Sequence, residues 1–209
     1  MTEGSHNRSR AHWDSRYRTD ETRLSWFEET PRRSLEMVEA AAPHRGAAII
    51  DVGGGASRLV DALLDRGYSD LTVLDVSQAA LSLARDRLEL RAASPVSLLA
   101  ADVTRWVPDR RWDVWHDRAL FHFLVEEDAQ KAYLAALMHA TVPGAHAIIA
   151  SFAPSGPERC SGLPVRRYDG RSLAKRLGRR FALEHQALET HRTPAGKRQD
   201  FLYAVFVRR

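Results

Sequence analysis

Two stretches of this 209-residue sequence hold residue types that can do chemistry. The first is Asp51-Val-Gly-Gly-Gly-Ala-Ser57 (DVGGGAS). Glycines where a strand turns into a helix let the backbone approach a ligand that side chains would push away, and the helix start offers unpaired N–H donors. A dinucleotide fingerprint would read G-x-G-x-x-G; Gly53 and Gly55 fit it, but Arg58 stands at the third position. Asp51 also puts negative charge where a pyrophosphate would sit, which suits a ligand carrying an amino group instead. Two further acids, Asp75 after LTVL and Asp102 after LLAA, follow apolar runs in the same way. A carboxylate at the second strand end can accept both hydroxyls of a ribose, and one at the third can accept from an adenine amine. Each acid alone reads as a helix cap or a solvated turn. Three of them after a triple glycine outline a nucleoside.

The second stretch, WDVWHDRALFHFL (112–124), sets His116, Asp117, Arg118 and His122 at the end of an apolar run. Alternation sends Trp112, Val114 and His116 to one face and Asp113, Trp115 and Asp117 to the other. Asp117 is expected at the mouth of a crevice, with His122 a turn later. The alternative is a half-buried core histidine at 116 and a local Asp117–Arg118 ion pair.

These residues need strands and helices to position them. AAIIDV (47–52), LTVLDV (71–76), VSLLAAD (96–102), WDVWHD (112–117) and AHAIIASFA (145–153) are strand-like. Between them, 57–67, 78–92 and 126–141 show helical spacing. Such alternation predicts an α/β fold, a parallel sheet covered by helices on both faces. A helix is expected from Pro31 to Pro43 and another around 170–177. FALEHQALE (181–189) and QDFLYAVFVRR (199–209), joined by TPAGK, predict a C-terminal antiparallel hairpin at one edge. Residues 1–30 read as an arm or lid, polar over 1–10, with a mixed aromatic and charged segment from His12 to Trp26 that is expected to form a helix followed by a loop; residues 31–209 read as one domain.

Taken together, Asp51, Gly53, Gly55, Asp75, Asp102 and the late hairpin resemble the class I S-adenosylmethionine-dependent methyltransferases over residues 31–209. The family's usual third glycine is replaced here by Ser57. The resemblance implies a Rossmann-like, seven-stranded, mostly parallel sheet with S-adenosyl-L-methionine as cofactor and S-adenosyl-L-homocysteine as product. Gly53, Gly54 and Gly55 would turn around the methionine portion, Asp75 with Val76 would meet the ribose, and Asp102 with Val103 would lie near the adenine. Trp26 would close over the cofactor from the arm; ordinary packing is its alternative. Locally, HDRALFHFL with the loop SGPERCSGLPV is similar to thiopurine and related thiol methyltransferases, whereas HWDSRY with SWF is similar to elongation-factor lysine methyltransferases.

In-line transfer from a sulfonium needs mainly alignment and exclusion of water, and a base only when the nucleophile arrives protonated. On this reading His116 or His122 takes the proton and Asp117 orients the imidazole or the substrate. A small-molecule acceptor, a thiol foremost, is the leading expectation; a protein lysine or a non-catalytic cofactor-binding module are the alternatives. The net charge of +4 comes from scattered arginines and does not predict nucleic-acid binding. One cysteine, Cys160, allows no internal disulfide, and a reducing cytoplasm is expected. No ligand set with metal spacing accompanies Cys160, so no metal is expected. No apolar run reaches the length of about eighteen residues that suggests a membrane span.

Overall fold

The computed structural model describes residues 3–90 and 96–209. In chain order the helices are α1 (Glu3–Arg16), α2 (Arg32–Ala41), α3 (Leu59–Asp65), α4 (Gln78–Glu89), α5 (Glu127–Ala140) and α6 (Gly170–Leu177). The strands are β1 (Ala48–Val52), β2 (Asp70–Asp75), β3 (Val96–Ala100), β4 (Val114–Arg118), β5 (His146–Phe152), the short β6 (Arg159–Cys160) and β7 (Leu163–Pro164), β8 (Phe181–Arg192) and β9 (Arg198–Arg208). Residues 91 and 92, the end of the expected second helix, lie outside the described residues.

Seven strands form one sheet in the order β3-β2-β1-β4-β5-β9-β8. β1 to β5 are mutually parallel, and β9 runs antiparallel to both β5 and β8. The expected edge hairpin is therefore present. β1 is buried along its whole length, as a central strand covered on both faces must be, and this explains its unbroken apolar run before Asp51. Tyr133 and Leu137 of α5 and Leu173 of α6 pack with Ile50 and Trp115 on one face. Leu35 and Val38 of α2, Leu59 of α3 and Leu81 of α4 pack with Ile49 and Val114 on the other. Trp112 departs from the expected alternation: it precedes the strand and packs on the same side as Trp115.

The sheet order reverses between β1 and β4, where the two crossover directions diverge and leave a crevice beyond the strand ends. The N-terminal segment covers that crevice. Asp14 of α1 accepts from Ser77 Oγ (2.7 Å) and from the Ala79 amide (3.1 Å), so an acid sits at the positive start of α4. A second attachment is made by Arg118 at the end of β4. Its guanidinium donates to Tyr203 Oη (2.9 Å), to the Trp26 carbonyl (3.0 Å) and to Glu28 Oε1 (2.7 Å), and it lies over the Phe201 ring. His191 of β8 completes the group, with Nδ1 3.2 Å from Glu28 and Nε2 2.8 Å from the Ser25 carbonyl. Arg118 thus pairs with the arm and not with Asp117, contrary to the local ion pair weighed above.

Replacing Arg118 with Met leaves Glu28 buried without its cation and removes the donor to the arm backbone. We expect faster proteolytic cleavage within residues 17–30 than in the wild type, with the core strands still protected in hydrogen exchange. Equal cleavage rates would show that the arm is held by other contacts.

Candidate active site

The register of the central strands sets Asp51 directly beside His116. Both are buried, and His116 Nδ1 lies 2.7 Å from Asp51 Oδ1. After Val52 the chain turns sharply, with Gly53 and Gly55 in the left-handed region (φ +73° and +51°). Gly54 has another reason to lack a side chain: a Cβ there would stand 2.5 Å from Asp51 Oδ2. At Gly55 a Cβ would meet the Tyr17 hydroxyl at 2.7 Å and Asp75 Oδ2 at 3.1 Å. The turn is thus packed between a buried carboxylate and the arm.

Asp75 ends β2, buried, with Oδ1 accepting from the Ser77 amide at 2.7 Å. Burial pushes its carboxyl up to about 7, the neighbouring Asp51 and Asp14 carboxylates add to the rise, and the Ser77 amide opposes it. Asp102, half-buried beyond β3, accepts from the amide and hydroxyl of Thr104 (2.9 and 2.7 Å).

Two cavities flank Gly53. The larger, about 270 Å³, is lined by Asp75, Val76, Asp102 and Val103 on one side and by Trp13, Trp26 and Phe123 on another. The smaller, about 60 Å³, is lined by Asp51, Gly54 and His116 with Glu21, Ser34 and Arg58. Tyr17, Trp26, Gly53 and Arg118 belong to both walls. A ligand passing over Gly53 could occupy the two together.

A family model described as a methyltransferase domain matches residues 49–144, the segment that carries the glycine turn and β1 to β4. That match, with the fold, shows an S-adenosylmethionine-dependent methyltransferase. Among curated relatives, "EEF1A lysine methyltransferase 2" of Danio rerio is 27% identical over 158 residues, covering 68% of each chain. A solved structure from work on the conversion of a disulfide bond into a thioacetal group during echinomycin biosynthesis is 26% identical, with a TM-score of 0.76 over 95% of this chain and 92% of that one. The 1,6-didemethyltoxoflavin-N1-methyltransferase of Burkholderia thailandensis is 20% identical, with a TM-score of 0.77 over 100% and 91%.

Of the residues singled out in the sequence of this methyltransferase, Trp26, Asp51, Gly53, Gly54, Asp75, Val76, Asp102, Val103 and His116 line one cavity or the other. Gly55 lines neither, being covered by Tyr17. Asp117 and His122 correct the expectation of a proton-handling pair at the crevice mouth, for neither lines a cavity. The chain reverses at Ala119, which holds φ +68°. That reversal brings the Leu120 and Phe121 amides onto the Asp117 carboxylate (2.9 and 3.1 Å), and Tyr133 Oη donates to it at 2.7 Å. Burial lifts its carboxyl to about 6 despite these donors. His122 is fully buried against Phe123 and Phe152, with Nδ1 accepting from the Phe152 amide at 3.4 Å. Burial, reinforced by the Arg118 charge, lowers its pKa to about 3, far too acidic for a base at neutral pH. Cys160 lines the larger cavity, but burial pushes its thiol up to about 11, so it rests protonated.

Tyr17, Glu21, Ser34 and Arg58 were not singled out as site residues. Only the aromatic content of the arm signalled Tyr17; the other three are ordinary residues brought in by the fold.

Asp117→Ala strands Tyr133 and two amides and should cost about 2–3 kcal/mol in denaturant unfolding. A cost near zero would contradict its structural role. Because the folded-state pKa of Asp75 is raised, its neutral form is the one that folding favours, and that contribution is lost as pH rises through about 7. Asp75→Asn should therefore raise the melting temperature of the ligand-free protein at pH 8 more than at pH 5.

Proposed function

We propose that this methyltransferase transfers its methyl group to a small-molecule nucleophile, with a thiol as the preferred acceptor. The observation that carries this reading is the larger cavity, whose acceptor-side wall is aromatic and apolar: Trp13, Leu120, Phe123, Leu124 and Leu163. Such a wall suits an enclosed small substrate. Bound S-adenosylmethionine supplies an electrophilic methyl on a cationic sulfur, and the chain supplies alignment and exclusion of water. The donor side fits that cofactor. Asp75 is a strand-end carboxylate with one oxygen engaged by the Ser77 amide, available to a ribose diol, and Gly53 and Gly54 line the smaller cavity beside Asp51. On this reading Val76, Asp102 and Val103 enclose the adenine, and residues 1–30 act as the lid.

No histidine lines the larger cavity among the described residues, and the Cys160 thiol holds its proton. The acceptor must then arrive ready to react. A free thiol with pKa about 8.5 supplies a few per cent of thiolate at neutral pH, whereas a lysine ammonium near 10.4 supplies almost no free amine. The relative from the disulfide-to-thioacetal conversion supports sulfur as nucleophile. The lysine methyltransferase of Danio rerio supports the second reading, a protein lysine. Against it, Asp75, Asp102 and Glu126 are the carboxylates on the larger cavity's wall, and the first two are taken by the nucleoside.

Methyl transfer should appear with a panel of small aromatic and aliphatic thiols, and kcat/KM should rise with pH along the acceptor thiol's own ionisation. Exchanging the acceptor for a thiol of lower pKa should move that rise by the same amount. Label found only on protein in a lysate would overturn the small-molecule reading. For the donor side, Asp75→Ala should weaken S-adenosylhomocysteine binding by about 1.5–3 kcal/mol, read by calorimetry.

A further inference from the structure

His191 of β8 lines neither cavity, yet it grips the part of the arm that walls them both. Its side chain is 5% exposed, so protein groups and not water meet its two nitrogens. Nε2 lies 2.8 Å from the Ser25 carbonyl oxygen, and Nδ1 lies 3.2 Å from Glu28 Oε1. A carbonyl oxygen only accepts, and so does an ionised carboxylate. Glu28 is ionised: burial would raise its carboxyl, but the bonds from His191 and Arg118 hold it below the usual range. A neutral imidazole has one N–H, so it would turn a lone pair toward one of the two oxygens. The imidazolium has two and satisfies both.

The charges around the ring leave that proton removable. Glu28 on the arm favours it, as does Glu189, which stands two positions earlier on β8, on the same face, and pairs with Arg33 of α2 at 3.1 Å. Arg118 of β4, donating to the same Glu28 oxygen at 2.7 Å, opposes a second cation. Burial keeps Tyr203 of β9 protonated, and the Cys160 thiol of β6, beside Ser25, is pushed up to about 11, so neither adds charge. Ser25 and Glu28 flank Trp26, whose ring walls both cavities and whose carbonyl Arg118 holds; Leu24, Phe27 and Glu28 wall the smaller cavity as well.

We propose that His191 is a positioning residue that clasps the arm only as an imidazolium, so that closing the arm over the cavities takes up a proton. Losing that proton breaks one of the two bonds and frees residues 25–28, and the Trp26 wall goes with them. One proton sets the limit: once the released histidine is neutral, closure weakens by up to about tenfold per unit as pH rises. Thiol ionisation has the opposite sign, so the two oppose each other in alkaline solution. The clasp works in the same way for any acceptor.

Nitrogen-15 spectra of the histidine rings in the full-length protein read the proton directly, with the His191 signal assigned by its loss in His191→Gln. Both ring nitrogens should carry hydrogen whenever the arm is closed. Hydrogen exchange over residues 17–30, corrected for the intrinsic rate, reads the closure. Protection should fall by about tenfold or more between pH 6 and pH 8.5 in the wild type, with the core strands unchanged. His191→Gln should lower arm protection at pH 6 to the wild-type level at pH 8.5. Glu28→Gln gives Nδ1 an amide that suits the neutral ring; it should flatten the pH dependence, and it carries the test if His191→Gln does not fold. A neutral His191 ring in protein whose arm stays protected overturns the proposal. So does wild-type protection that is equal at the two pH values, as a merely structural histidine would give, or a pH dependence that survives in Glu28→Gln.

Discussion

A parallel sheet delivers all its strand ends to one edge, and everything polar that arrives there must be satisfied by something other than the sheet. β1 to β4 bring Asp51, Asp75, Asp102 and the His116–Arg118 segment to that edge. The edge solves the problem in three ways. Asp117 is closed off by backbone amides and Tyr133, and Arg118 is closed off by the arm. Asp75 is left half-satisfied, as is the imidazole of His116. Asp75 and His116 line the cavities, and the closed-off carboxylate of Asp117 does not.

The arm follows from the same constraint. Without it, the glycine turn and the carboxylates around it would face solvent. With it, Tyr17 covers Gly55, Trp26 walls both cavities, and Glu28 neutralises a guanidinium that would otherwise be buried alone. The polar network of Arg118, Glu28, His191 and Tyr203 joins the arm, β4, β8 and β9, so the attachment crosses most of the sheet.

The alternation of strands and helices, the edge hairpin and the glycine turn were legible because each is written in residues close together in sequence. So were the strand-end acids, whose spacing from apolar runs fixes their place. The roles of Asp117 and His122 were not, because they depend on the reversal at Ala119. An alanine with positive φ leaves no mark in a sequence, where a glycine would have. The partner of Arg118 was not legible for a different reason: Glu28 is 90 residues away, and only the folded arm brings them together. α1 went unrecognised over 3–11 because its polar residues show no apolar stripe, and Asp14 docks it onto α4 by hydrogen bonds. The small strands β6 and β7 were hidden in a loop rich in glycine and proline.

The contact between Gly54 and Asp51 also constrains how this site can change over generations. A side chain at position 54 collides with the carboxylate at 51 and comes within 3.0 Å of Val73. The two positions are therefore mutationally linked: a lineage could admit alanine at 54 only after shortening residue 51, and doing so would orphan His116. Drift at this turn is barred by two neighbours at once, and a glycine free of any positive-φ demand is held in place by what lies beneath it.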